Sequence, residues 1–589
     1  MTNQQIAELL RSVAAALELS SGEDNRFRII AYERAADAVE HATSEIKDLW
    51  DDGKLQDLPG IGEGIASSLD ELFTTGRVRH FNAILQPFSP ALFTLLSVPG
   101  IGPKTAYKLT KALGISQPHS AIARLEKAAK AGQIRLIEGF GADSEADILK
   151  SIAELKGRST RLLLPLAQGL AQSVLDWLTK IPQVKRVDFL GSLRRQASTV
   201  GDIDLAVASD DAAAVIRHFT AYPKKIRVLE AGEHTASLIL PNDIQVDLMV
   251  QPPASYGSLL QHFTGSKHHN IALRELALKR GLSLSEYGIK DKNRLRRFSS
   301  EEDFYKFLGF DWIPPELRED TGELAAAKIH RLPRLVELAD IKGDLQIHSD
   351  IDVEPSHDLG ESSLTQLAAV ARDLGYQYIG LTEHNPSISG HTSNKIIDLI
   401  KRKTNIIEQF KTNMKNNHEN KLEIFNGLEI DIQPDGTRAL PDAALDLLDY
   451  ACVSLHSSFR LSRADMTKRV LAALDHPRVL FLAHPTARLL NEREGVELDW
   501  ETIFDYCLKN HKWLEIDAWP NRLDLPDSLV RTAVKQGVKL IIDTDSHSAD
   551  HLSFMRFGIS VARRGWATAA DIINTLPLTQ FSKLIKGGE

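Results

Sequence analysis

The sequence predicts a multidomain α/β protein: a helical N-terminal part, an α+β sheet domain in the middle and a distorted α/β barrel at the C-terminus. Three observations predict it. A Pro-Gly-Ile-Gly turn repeats between helical stretches in the first 150 residues, a Gly-Ser turn near residue 191 runs into a Gly-Asp-Ile-Asp segment, and beyond residue 340 strand-like runs ending in His, Asp or Glu alternate with helical stretches.

In the N-terminal third, Leu58-Pro59-Gly60-Ile61-Gly62 leads to Ala66 and Leu69, and Val98-Pro99-Gly100-Ile101-Gly102 leads to Ala106 and Leu109. Ile137-Glu138-Gly139-Phe140-Gly141 is a weaker third copy. In each, two glycines permit a tight turn whose exposed backbone N–H groups open a helix, an arrangement that binds phosphate without reading bases. Gly60, Gly62, Gly100 and Gly102 are therefore candidate nucleic-acid contacts. Phe27 to Ala36 has helical apolar spacing.

In the middle, Val187-Asp188-Phe189-Leu190 and Ile203-Asp204-Leu205-Ala206-Val207 are β-rich runs bracketing Gly191-Ser192-Leu193-Arg194-Arg195 and Gly201-Asp202. Two apart on a strand, Asp202 and Asp204 project from one face, and Asp247 in Ile244 to Val250 belongs to a strand that can pair beside the first. Three such carboxylates suit two Mg²⁺ ions and metal-assisted phosphoryl chemistry.

These residues resemble the nucleotidyltransferase signature of the family X DNA polymerases, and the resemblance continues through Phe263-Thr264-Gly265-Ser266-Lys267-His268-His269-Asn270 and Arg274. The glycine turns likewise resemble helix-hairpin-helix motifs. By this resemblance the middle region is a nucleotidyltransferase-type palm. Ser192, Arg195 and Arg161 hold a triphosphate, and Gly191 lets backbone approach it. Phe263 and Gly265 close on the incoming nucleotide, Asn270 hydrogen-bonds the nascent base and Arg274 touches the template. The implied partners are dNTPs and gapped or primer-template DNA, with Mg²⁺ or Mn²⁺ at Asp202, Asp204 and Asp247. Two positions depart from the family pattern: Gln196 where Gly is common, and His262 where a Tyr usually blocks the ribose 2′-hydroxyl. Ser68 and Gly64 occupy positions where lyase-active relatives carry Lys, so 5′-deoxyribose phosphate removal is not expected.

The C-terminal runs are Asp344 to His348, Gly380 to His384, Gly427 to Asp431, Val453 to Ser457, Leu482 to Pro485 and Thr544 to His547, separated by helical stretches such as Ser363 to Gly375 and Arg463 to Leu474. Functional residues at strand C-termini are how an α/β barrel displays a site. Imidazole with carboxylate suits Zn²⁺ or Mn²⁺. This half resembles the PHP (polymerase and histidinol phosphatase) domain of bacterial and archaeal family X polymerases, which trims DNA 3′ ends and acts at abasic sites. The matching ligands are His348, His384, Glu429, His456, His484, Asp545 and His547. Gln346 replaces the first His of the usual His-x-His, Glu383 replaces the common Asp, and the acid that follows is displaced, with Asp350, Asp352 and Glu354 nearby. One metal position is therefore expected to be weak or missing.

At 589 residues, 43% hydrophobic and 25% charged, the chain reads as several globular domains. The expected boundaries are 1–90 and 91–155 (helical), 156–250 (palm), 251–313 (thumb-like), 314–340 (linker) and 341–589 (PHP). No apolar run spans a membrane and no signal peptide opens the chain, so a cytoplasmic monomer is expected. Two cysteines, Cys452 and Cys507, exclude a disulfide framework and leave metal binding to His and carboxylate. The net charge of −9 is unevenly spread: residues 150–200 and 265–300 each hold nine Lys or Arg against three acids. The expected function is a template-directed polymerase filling short gaps in base excision repair. The runner-up is a dual polymerase and metal-dependent 3′ exonuclease, and the alternative of another class is a DNA-binding repair scaffold with an inert PHP half.

Overall fold

The computed structural model describes every residue except 1–2, 21–24, 41–45, 47–49, 51–54, 59, 99, 158–160, 293, 417–421 and 586–589. Pro59 and Pro99 of the repeated turn lie outside the described residues. The chain forms two compact units, Met1–Thr160 and Arg161–Glu589. No helix among the described residues is long and apolar enough to cross a membrane.

The first unit is helical, and the three glycine turns close alike. Ile61 N–H donates to Leu58 O, Ile101 to Val98 O and Phe140 to Ile137 O, each at 3.0 Å. The first glycine of each has a left-handed φ, +104° at Gly60, +84° at Gly100 and +88° at Gly139, which glycine adopts without penalty. Helices Glu63–Thr75, Pro103–Ala112 and Ala142–Gly157 follow. The third copy, weak in sequence, is thus built like the others. Ser68 is buried in the first of these helices and donates its hydroxyl to Gly64 O.

The second unit begins with a five-stranded sheet in the order Arg186–Phe189, Ile203–Ala208, Ile244–Gln251, Thr235–Leu240, Arg227–Ala231. Strand alternation sends Ile203, Leu205 and Val207 into a core shared with helices Leu164–Leu178 and Ala212–Thr220. Ala206 and Ala208 pack on the other face against Tyr256, Leu259 and Leu260 of helix Tyr256–Thr264. Asp204 therefore points to that second face, at its open end. A three-stranded antiparallel sheet, Leu282–Ser285, Gly288–Asp291 and Arg294–Arg296, follows with helices Lys267–Leu278 and Glu301–Phe307. The segment 314–340 carries helix Glu323–Lys328 and buries Leu317, Leu324, Ala327 and Leu335 in the same cluster as Leu273, Phe304 and Trp566. It is packed structure over much of its length.

Beyond it, parallel strands Gly343–Ile347, Tyr378–Leu381 and Glu423–Asn426 form one sheet, and Glu429–Asp431, Ala451–Ser454, Val479–Leu482, Trp513–Asp517 and Leu540–Asp543 form another. Parallel bridges His384 to Glu429 and Ile347 to Ser546 link the two sheets, which closes a distorted ring. The C-terminal helix Leu578–Ile585 puts Phe581 on Tyr378, rings stacked at 4.4 Å, among Leu345, Cys452, Phe481 and Trp513.

Candidate active sites

The parallel register of Ile203–Ala208 and Ile244–Gln251 sets Asp204 directly opposite Asp247. Asp202 lies in the bend just before the strand, not on it as expected, yet oxygens of Asp202, Asp204 and Asp247 all lie within 4.8 Å of one another. Burial, then the Asp202 and Asp247 carboxylates, push Asp204 up to about 7 against the pull of Arg195. Three carboxylates crowded this closely fit a divalent cation, which removes the repulsion that holds Asp204's proton. Gly191 has φ +55°, and a Cβ there would stand 2.5 Å from Asp204 Oδ2. The glycine therefore lets the turn lie directly on this carboxylate.

Ser192 is half-buried in the short helix Gly191–Arg194. Arg195 just after it donates from Nε to Glu319 Oε1 (2.8 Å) and from Nη1 to Thr264 O (2.6 Å). A Cβ on Gly265 would lie 3.2 Å from Arg195 Nη1, so that glycine too sits against the guanidinium. Arg194 is a structural cation, held by Glu301 and the Thr264 hydroxyl. Arg194 and the fully buried Arg318 hold Glu301 down at about 2 although burial opposes this. Arg161 is exposed and donates from Nε and Nη2 to Thr199 Oγ1 and O (2.8 and 2.7 Å). Asn270 is already engaged, donating to His262 O (2.7 Å) and accepting from Gln261 (2.9 Å). His262 meets Phe263 edge-on, and exposed Arg274 lies 3.4 Å from its Nδ1. Burial lowers the pKa of His262.

In the barrel, every predicted ligand but Glu429 stands just beyond a strand C-terminus; Glu429 opens strand Glu429–Asp431, three residues past the end of Glu423–Asn426. His348, His384 and His547 form one group, His384, Glu429 and His456 a second, and His348, Glu429 and Asp545 a third. His484 joins them through Nε2, 3.0 Å from Glu429 Oε1. The His384 ring and its neighbours hold Glu429 ionised well below the carboxylate range although burial opposes this. Overlapping imidazole and carboxylate groups, with Gln346 Oε1 buried without a hydrogen-bond partner among the described residues, fit a multinuclear divalent centre.

Sequence reasoning missed three residues here. Of the nearby acids, Glu354 is taken by Lys395 and His391 at 2.9 and 3.0 Å. Asp358 stands 3.4 Å from His384 Nε2 and 3.5 Å from His547 Nε2 instead. Gly360, where a Cβ would collide with His348 O, lets this loop close over the strand end. Asp431 accepts from His456 Nδ1 (2.7 Å) and lies 3.2 Å from His357 Nε2, and these three form a fourth ligand-like group. That bond directs His456 Nε2 towards Glu429, as a carboxylate partner does for a metal-bound imidazole. The other substituted position, Glu383, is not free to ligate, because Lys403 Nζ lies 2.5 Å from its Oε2. Gln346 donates to Asp545 Oδ1 at 3.3 Å.

A catalytic fold with an acidic triad beside a glycine turn, a basic thumb and hairpin-bearing helices defines a DNA-acting nucleotidyltransferase. Comparison with known proteins agrees with that class. A DNA polymerase beta thumb matches residues 259–319, a helix-hairpin-helix domain residues 1–78, and a SAM-like helix-hairpin-helix tandem residues 93–154. The chain is 32% identical over 593 residues, covering 100% of both proteins, to DNA polymerase/3′-5′ exonuclease PolX of Bacillus subtilis (strain 168). DNA polymerase lambda of Arabidopsis thaliana is 26% identical over 50% of this chain and 58% of its own length, and that of Rattus norvegicus 22% over 54% and 56%. The chain belongs to family X of the DNA polymerases.

Proposed function

We propose that this chain extends a DNA primer across short gaps during repair, the 3′-hydroxyl attacking the α-phosphate of a dNTP and pyrophosphate leaving. Asp202, Asp204 and Asp247 would hold the divalent ions, and Asp247 would help take up the hydroxyl proton. Mg²⁺ or Mn²⁺ bound there supplies Lewis acidity and charge neutralisation. Arg161, Ser192 and Arg195 bind the triphosphate, Phe263, Gly265 and Asn270 the sugar and base, and Arg274 the template, while Gly60, Gly62, Gly100 and Gly102 place backbone N–H groups on DNA phosphates. The observation that carries this reading is the pairing of Asp204 with Asp247 on adjacent parallel strands beneath the Gly191 turn.

The functional regions proposed are 1–90, 91–155, 156–250, 251–313, a connector 314–340, and a hydrolytic barrel 341–589. The barrel trims DNA 3′ ends, with His348, His384, Glu429, His456, His484, Asp545 and His547 holding Zn²⁺ or Mn²⁺ for phosphodiester hydrolysis. What supports this second activity is the overlap of His and carboxylate groups at the ring's C-terminal ends, together with the exonuclease in the name of the Bacillus relative. The enzyme acts as a cytoplasmic monomer. Primer extension on gapped DNA and 3′ degradation, assayed side by side with Mg²⁺ and Mn²⁺, test both halves. Absence of extension with either ion overturns the polymerase reading.

A further inference from the structure

The loop that follows the Gly191 turn is held from an unexpected side. Helix Met555–Arg564 belongs to the barrel, yet its residues reach the palm. Arg564 Nη1 donates to the backbone O of Arg195 and to Glu319 Oε1, both at 2.9 Å. Glu319 Oε1 is the same oxygen that accepts Arg195 Nε. Behind it, Asp527 Oδ2 accepts from Arg564 Nε and lies 2.7 Å from Arg564 Nη2. One helical turn earlier, Ser560 Oγ lies 3.2 Å from Gln196 Oε1 and 3.0 Å from Arg556 O, its one proton shared between them, and the Gln196 amide oxygen also accepts from Gln168 at 2.7 Å.

Four alternating charges therefore run from barrel to palm: Asp527, Arg564, Glu319, Arg195. They are well covered, with side-chain exposures of 32%, 10%, 27% and 15%, so solvent screens them little. Gln196 holds φ +56°, a conformation that costs a non-glycine residue energy and persists where surroundings enforce it. The Ser560 and Gln168 contacts are such an enforcement. Two of Arg195's nitrogens are committed, Nε to Glu319 and Nη1 to Thr264, which aims the guanidinium and leaves Nη2 without a protein hydrogen bond among the described residues.

We propose that Arg564 is a positioning residue for nucleotide binding: the barrel sets dNTP affinity in the polymerase half by locking Glu319 and the Arg195–Gln196 backbone. The inference rests on the reading of Arg195 as a triphosphate ligand. It makes the C-terminal half part of the polymerase whether or not that half hydrolyses DNA. A guanidinium fixed by two bonds and a buttressed partner binds a triphosphate without first paying for immobilisation. Without Arg564, Glu319 loses a countercharge and swings, and Arg195 samples orientations away from the triad.

The test uses full-length protein on gapped DNA with Mg²⁺. Arg564→Ala should raise the KM for dNTP about tenfold, the loss of one charge-assisted contact, with kcat and the Kd for gapped DNA within about twofold of wild type. Arg564→Lys keeps the charge but cannot serve Glu319, the Arg195 carbonyl and Asp527 together, and should lie between. Ser560→Ala should raise KM about threefold. The double variant Arg195→Ala with Arg564→Ala should match Arg195→Ala alone, because the second change acts through the first. Equal KM for wild type and both Arg564 variants overturns the proposal, and so does a double variant in which the two effects multiply. A loss of kcat and DNA binding together with KM would mean a general packing role and overturns it as well. Should Arg195→Ala itself leave KM unchanged, the ligand reading of Arg195 fails separately from the coupling, which Arg564→Ala alone still reports. If Arg564→Ala does not fold, Arg564→Lys and Ser560→Ala carry the decision.

Discussion

The carboxylate triad at Asp204 and the ligand cluster in the barrel occupy one compact unit, but they are built from different atoms at different depths. The triad offers oxygen alone, with Asp202 exposed and Asp204 and Asp247 half-buried. The barrel centre mixes imidazole with carboxylate, and His348, Glu429 and Asp545 are buried. A shallow all-oxygen site suits hard ions that arrive with a nucleotide and leave with pyrophosphate, whereas a buried nitrogen and oxygen site suits resident ions. The electrostatics point the same way. At the triad burial, then the neighbouring carboxylates, push Asp204 up to about 7. In the barrel the imidazoles around Glu429 keep it ionised.

The largest effect that could break this division is a crossed pair of substitutions. Asp204→Ala should lower primer extension by at least about a thousandfold, because a lost metal ligand removes several kcal/mol of transition-state stabilisation. Metal content of the purified protein and 3′ degradation should stay at wild-type levels. Glu429→Gln should do the reverse, stripping resident metal and degradation while extension persists. Elemental analysis beside the two activity assays reads the outcome. If either substitution abolishes both activities, the centres are not independent.

Much of both sites could be read along the chain because local patterns carry them. Asp202 and Asp204 sit two apart behind a glycine turn, and the predicted barrel ligands lie in or directly after short apolar runs, so local pattern marks them. The residues that escaped depend on loops and long-range packing. Asp358 reaches His384 and His547 only because the loop folds back over His348 at Gly360, and no periodic signal marks that bend. Asp431 lay inside a recognised run, but its role comes from facing His456, 25 residues away. Arg194 shows that adjacency does not imply a shared role. It shares a motif with Arg195, yet its partner is Glu301, 107 residues on, which no local pattern announces. The packing of 314–340 against Trp566 was hidden for the same reason.

A smaller effect sharpens the barrel side of the comparison. Gln346 is the amide where imidazole is usual, and it already donates to Asp545. Gln346→His should raise metal affinity by about 10- to 100-fold, the range typical of changes to a ligand or its immediate support. Titration of metal-free protein with Zn²⁺ and Mn²⁺ separates the cases. A wild-type protein that already binds its full complement, unaltered by the substitution, would mean that Gln346 Oε1 ligates adequately.

The smallest effect is on stability, and there the two centres should differ in sign. Asp204's folded pKa of about 7 lies above its ordinary 3.8. The folded state therefore holds a proton that the unfolded chain releases, and the cost of ionising Asp204 in place grows as pH rises through this window and is complete above 7. The full shift corresponds to about 4 kcal/mol, but Asp204 is only half-buried, and solvent screening brings the expected cost to about 1–2 kcal/mol. Asp204→Asn removes the charge and keeps the shape. Metal-free Asp204→Asn should unfold at higher temperature than metal-free wild type at pH 8, with the gap closing towards pH 4. Saturating Mg²⁺ should shrink the gap by stabilising wild type alone. Glu429 is the opposite case, its folded pKa lying well below the ordinary 4.5. Its ionised form contributes stability that is present above the unfolded pKa and lost as pH falls through the folded one, so Glu429→Gln should lower the metal-free unfolding temperature at pH 8. Thermal unfolding of both variants without metal at pH 5 and pH 8 tests the pair. Equal signs at pH 8 would mean that the charge environments of the two centres do not differ as their geometry implies.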